Sequence, residues 1–190
     1  QKMAAMEANT EPYLKTPAWK HAKHRIVWLL VLMLSASITG AIISKYEAAF
    51  AAVPLLVSFI PMIMDTGGNC GSQSSTLIIR GLAVDELRFA DTARIIWMEL
   101  RVALLVGLGL AVADSAFIML RYNDLRLAGV VSAAMLCTVV CAKVTGGLLP
   151  IAAKRLGMDP ALMAAPLITT VVDTVAMFIY FTIASAVFAI

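Results

Sequence analysis

A chain of 190 residues that is 61% hydrophobic and 14% charged, with mean hydropathy +0.89, lies well outside the ~45–50% apolar content of soluble domains. That balance excludes an ordinary soluble domain and defines an integral membrane protein whose partner is membrane lipid. The net charge of +3 is small and its basic residues flank apolar runs, so the chain has no nucleic-acid-binding stripe.

Residues 1–25 are polar and basic, with Lys2, Lys15, Lys20, Lys23 and Arg25 interrupted by Pro12 and Pro17. They read as a cytosolic linker, with a short helix or turn near 1–9 and an interfacial lead-in at 17–25. Trp19 and Trp28 suit the headgroup belt. Residues 26–190 form the transmembrane domain. Gln1 in the place of Met, with no signal-peptide pattern behind it, suggests a piece of a longer chain.

Five apolar spans follow, at about 24–46, 49–79, 94–120, 127–153 and 160–190. Each reaches the ~20 residues that cross hydrocarbon as a helix. The predicted fold is therefore all-α, with the second and fifth spans broken by proline. Lys and Arg set the orientation. With the N-terminus inside, the inner segments hold the five basic residues of 1–25, then Arg80, Arg88, Arg94 and Arg101, then Lys154 and Arg155. The outer loops hold only Lys45, Arg121 and Arg126. This asymmetry predicts a plasma-membrane protein with a cytoplasmic N-terminus and an extracellular C-terminus.

The second span is anomalous. After an apolar lead-in at 51–64 it reads Asp65-Thr66-Gly67-Gly68-Asn69-Cys70-Gly71-Ser72-Gln73-Ser74-Ser75-Thr76. Polar groups at this density are costly in lipid and persist where they face protein or a water-filled path. Asp65 and Asn69 lie one helical turn apart. The three glycines permit close approach of another segment, for packing or otherwise. Gln73 and Ser74–Thr76 either line the path or cross-link helices.

The fifth span carries Asp173, with Thr169 and Thr170 one turn earlier on the same side and Pro166 before them. Proline lacks an N–H, so the carbonyl of Leu162 is expected to lose its helical partner. Carboxylate, hydroxyl and carbonyl oxygens are the ligand set of hard cations such as Mg²⁺ and Ca²⁺.

Weaker features are read as structural. Asp114 is expected to bridge to Arg121 or to backbone, and Lys143 to snorkel or pair with an acid. Cys70, Cys137 and Cys141 are expected to pack in apolar surroundings without a disulfide. No nucleophile–base pair, phosphate loop or zinc motif is present, so no catalytic residues are assigned. Three other readings compete: a divalent-cation or proton-coupled carrier, an intramembrane aspartyl-type enzyme using Asp65 and Asp173, and a membrane anchor for a sensor, which leaves the polar content of the second span unexplained.

The stretch from Pro61 through Asp65, Asn69, Gln73 and Arg80 to Ala83 resembles the signature of MgtE-type magnesium channels. Pro166-Leu-Ile-Thr-Thr-Val-Val-Asp173 resembles the same family's pore helix. The resemblance runs from about Pro17 onward. It implies a homodimer of five-helix subunits with a Mg²⁺ path near the two-fold axis. It also implies Asp173 as the main pore carboxylate, joined by the backbone carbonyl of Thr169 and by Asn69 through ion-bound water; Asp65, read from the residues themselves, either contacts the ion or holds a structural hydrogen bond. Some members carry Asn at the position of Ala165 and Gly at that of Asp65. Full-length members also carry an acidic helical domain and a CBS-domain pair in the cytosol, which this sequence lacks. Mg²⁺ is thus the expected transported and bound ion, moving into the cytoplasm.

Overall fold

The computed structural model describes residues 13–163 and 165–189. The helix or turn expected near 1–9 lies outside the described residues. All regular structure among them is helical: α1 (Ala18–Lys45), α2 (Glu47–Ala52), α3 (Leu55–Ala83), α4 (Thr92–Tyr122), α5 (Leu125–Arg155) and α6 (Ala165–Phe188). Short 3₁₀ turns precede α1, α4 and α6.

Local chemistry explains the helix ends. Pro17 sits at the N-cap of α1 in extended geometry, where its missing N–H is harmless. No break occurs at residue 25; the expected lead-in is the first turns of α1. The α4–α5 hairpin turns on two residues. Asn123 adopts the left-handed conformation that Asn tolerates. The Asp124 carboxylate then accepts hydrogen bonds from the N–H groups of Arg126 (2.9 Å) and Leu127 (3.0 Å), satisfying two donors that a helix start leaves open.

The prolines interrupt the helices near the starts of the predicted spans and not within them. The second predicted span is divided at Val53–Pro54, between α2 and α3, while α3 runs through Pro61 without interruption. Its missing N–H leaves the Val57 carbonyl unpaired within the helix. One residue away, the buried Tyr180 hydroxyl donates to the Leu56 carbonyl at 2.9 Å and ties α6 to this turn. Pro166 falls in the first turn of α6, where no helical N–H is required. Leu162 precedes that helix, so its carbonyl is not a bond lost from inside it. Pro150 sits inside α5, which also continues through it.

Helices α1, α4, α5 and α6 are long and apolar enough to cross a membrane. The 29-residue α3 is as long, at ~1.5 Å per residue, but its polar run sets it apart. It packs against α5 and α6. The main core lies at this junction and includes Leu56, Ile63, Met135, Val139, Ile168, Met177 and Phe181.

Candidate functional site

Glycines bring α3 close to its neighbours. A Cβ on Gly67 would lie 2.7 Å from Thr138 Cγ2 and 2.9 Å from Val172 Cγ1. On Gly68 it would lie 3.0 Å from Thr169 Cγ2, and on Gly71 2.7 Å from Ile168 Cγ2. A Cβ on Gly146 of α5 would collide with the Gly71 carbonyl. Two backbones touch at Gly71 and Gly146, and at Gly67, Gly68 and Gly71 an added Cβ would force a neighbouring side chain to shift, which is the packing reading of these glycines.

That approach sets the polar residues of α3 beside those of α6. Asp65, Asn69, Thr169 and Asp173 line one open cleft of about 460 Å³. Ile60, Pro61, Met64 and Gly68 complete its walls. All four residues singled out from the sequence thus share a single cavity. Asp65 and Asn69 are exposed on it, Thr169 and Asp173 half-buried. The Asn69 amide donates to Asp65 Oδ2 at 3.0 Å, which orients the amide oxygen and the second carboxylate oxygen elsewhere. The wall is therefore rich in oxygen, the donor type of hard cations.

The cleft does not end at Asn69. A neighbouring groove of about 630 Å³ is lined by Asn69, Ser72, Gln73, Thr76 and Leu77. Positions 65, 69, 72/73 and 76 repeat at helical spacing, so one stripe of α3 is polar over several turns. The opposite side of α3 is used differently. Ser74 is buried and donates to Glu99 of α4 at 2.5 Å, and buried Lys143 of α5 donates to Ser74 at 3.4 Å. Gln73 and Thr76 line a groove, while Ser74 cross-links helices.

Other expectations are corrected. Asp114 does not bridge to Arg121: its Oδ2 is buried without a partner, and the Arg121 guanidinium stands over the Tyr122 ring at 5.5 Å. Of the two fates expected for Lys143, it does not snorkel, being 5% exposed, and it is instead linked to an acid, Glu99, through Ser74. Cys70 is buried, but Cys137 is exposed and Cys141 half-buried, all as free thiols. Thr170 does not line the cleft; its carbonyl accepts a hydrogen bond from Thr174.

Sequence reasoning passed over Glu99 and Thr39. Glu99 had a signal, since an acid inside the third span faces a Lys inside the fourth. Thr39 had none, because a lone threonine in an apolar helix is common.

A polar, carboxylate-bearing cleft thus lies on a bundle of membrane-length helices. The family model for MgtE, described as a divalent cation transporter, matches residues 60–183, and the chain belongs to that family. It is 37% identical over 160 residues to the magnesium transporter MgtE of Thermus thermophilus, covering 84% of this chain and 35% of that protein. It is 34% identical over 171 residues to that of Bacillus subtilis (90% and 38%) and 34% over 166 residues to that of Enterococcus faecalis (87% and 37%). The chain spans little more than a third of the length of these relatives. Membership in a transporter family sets aside the aspartyl-type enzyme reading of Asp65 and Asp173.

Proposed function

We propose that this chain is the membrane-spanning part of a magnesium transporter, in which two copies form a Mg²⁺ path from their facing clefts. The observation that carries the reading is the gathering of Asp65, Asn69, Thr169 and Asp173 in one cleft open to the outside of the protomer. Facing lipid, such a surface would hold uncompensated polar groups at several kcal/mol each. Facing a second copy across a two-fold axis, it becomes the wall of an aqueous path. With α3 added to α1, α4, α5 and α6 as a span, each subunit crosses five times, N-terminus in the cytoplasm, in keeping with the Lys/Arg asymmetry.

In this arrangement Asp173 is the principal ion-contacting group. One carboxylate per subunit gives a paired charge of about −2, which matches a divalent ion and offsets its desolvation. Mg²⁺ loses water reluctantly. Asn69 and the Thr169 carbonyl therefore serve through ion-bound water, and Asp65 concentrates cations at the cleft. Ser72, Gln73 and Thr76 continue the polar wall along α3. An inward-negative potential drives a divalent cation inward by roughly 4–5 kcal/mol per 100 mV, so no coupled energy source is needed. By the same family relationship, the acidic helical and CBS domains would regulate this path from the cytosol.

The test is Mg²⁺ uptake into liposomes by the full-length protein. Uptake should follow the Mg²⁺ gradient and membrane potential, persist when the pH gradient is collapsed, and fail in Asp173→Asn. Uptake that requires an imposed pH gradient would instead identify a proton-coupled carrier.

A further inference from the structure

Helix α1 lies at the edge of the bundle. Ile26, Val27, Leu29, Leu30, Met33 and Leu34 are all exposed. Among the described side chains of α1, the one buried residue is polar: Thr39, 5% exposed beside Ile38 at 57%. Its Oγ1 lies 2.8 Å from Oγ1 of Thr174 on α6.

The proton inventory fixes the direction of this bond. Thr174 donates its hydroxyl to the Thr170 carbonyl at 3.0 Å. A threonine has a single hydroxyl proton, so Thr39 is the donor and Thr174 the acceptor. The result is a relay from Thr39 through Thr174 to the Thr170 carbonyl, whose bonds polarise one another in a low dielectric. Thr170 and Thr174 each follow by one residue the cleft-lining Thr169 and Asp173. One residue is about 100° of helix rotation, so the relay grips the flank of the turn that presents Asp173.

We infer that Thr39 is a positioning residue for the ion path: through Thr174 it holds, from α1, the turn of α6 that carries Asp173. The inference rests on the reading of Asp173 as an ion-contacting group. Mg²⁺ demands near-ideal octahedral geometry, whereas Ca²⁺ accepts varied coordination. Loosening this turn should therefore penalise Mg²⁺ more than Ca²⁺.

The experiment measures Mg²⁺ uptake by the full-length protein in liposomes, together with the Ca²⁺ concentration that halves it. Thr39→Val keeps the side-chain shape and removes the donor; Thr174→Val cuts the same link from the α6 side. Each should lower Mg²⁺ uptake and shift the half-inhibiting Ca²⁺ concentration down by about three- to tenfold, the range of one interhelical hydrogen bond in a membrane. The double variant should do no more than either single one, and Thr39→Ser should behave as the wild type. Elution volume and thermal unfolding check the fold; should one valine variant fail that check, the other carries the test. A folded valine variant with wild-type uptake and Ca²⁺ sensitivity overturns the positioning role. Asp173→Asn in the same assay separates the two ideas. If it too keeps wild-type Mg²⁺ preference, the reading of Asp173 falls and the role of Thr39 with it; if it alone loses preference, only the inference about Thr39 fails.

Discussion

Asn69 donates its side-chain amide to Asp65 across one turn of α3, at 3.0 Å. The pair projects into the cleft that Asp173 shares from α6. The two carboxylates differ in setting. Asp65 is exposed and already engaged by an amide, while Asp173 is half-buried, with Thr169 beside it.

That difference ranks their effects. In the proposed two-subunit path, Asp173→Asn keeps the shape and removes one charge from each subunit. The loss should be about 2–3 kcal/mol, or roughly 30- to 150-fold in Mg²⁺ uptake. Asp65→Asn, at a more solvated position, should cost less than ~1.4 kcal/mol, under tenfold. Initial rates of Mg²⁺ entry into liposomes decide between them. A larger loss for Asp65→Asn would move the principal site to the Asp65–Asn69 pair.

Gly68 sets the width of the cleft. Its added Cβ would stand 3.0 Å from Thr169 Cγ2, so Gly68→Ala must push α6 away or rotate Thr169. Overpacking of this kind costs about 1–3 kcal/mol. The variant should fold, melt at lower temperature and conduct Mg²⁺ more slowly. Gly146→Ala meets the backbone carbonyl of Gly71, which no rotamer change relieves, and should yield little folded protein. Size-exclusion profiles and thermal melts of both variants test the contrast; equal stability would show that the α3–α5 crossing yields as readily as a side chain.

The buried Lys143 is joined to Glu99 through Ser74. Glu99→Gln leaves a cation that is 5% exposed without its compensating charge. It should destabilise the protein toward the lower end of the roughly 3–5 kcal/mol seen when a buried ion pair is broken. Lys143→Met combined with Glu99→Gln should recover much of that loss, because no uncompensated charge remains. Thermal unfolding across the four-member cycle gives the coupling. Strict additivity would mean that Ser74 does not connect the two charges.

The helical fold and the residues of the cleft were legible for one physical reason: polar groups in an apolar span must be solvated by something. Asp65, Asn69 and Asp173 stood out against their neighbours, and helical spacing placed Thr169 with Asp173. Their meeting in one cavity depends on the Gly68–Thr169 approach, which is a property of two helices and is written in neither alone. Pro166 misled because proline at the first turn and proline inside a helix look alike until the start of α6 is known. Thr39 was invisible because its partner lies 135 residues away. Asp114 shows the converse: an obvious charge whose expected partner, Arg121, turns to Tyr122 instead.

The outward polar stripe of α3 leads to an expectation about assembly. Asp65, Asn69, Gln73 and Thr76 are all exposed in the single protomer; the Thr76 hydroxyl donates to the Ser72 carbonyl, but the carboxylate and the two amides keep polar atoms that lipid cannot satisfy. A second copy brought up by two-fold symmetry places each stripe opposite its own equivalent, as an isologous interface requires. The purified protein should therefore have the mass of a dimer by light scattering in mild detergent. Position-specific cross-linking then asks which face is shared. In a background with Cys70, Cys137 and Cys141 replaced by alanine, Thr76→Cys should form an intersubunit disulfide on mild oxidation, provided the stripes approach within the ~7 Å between Cα atoms that a disulfide spans. Leu105→Cys, on α4 and 76% exposed, should not. If Thr76→Cys lies beyond disulfide reach, bifunctional thiol reagents of increasing length should still link it at a shorter span than Leu105→Cys. Preferential linking through Leu105→Cys would place the interface on α4 and leave the polar stripe of α3 outside it, contrary to a path formed between the two clefts.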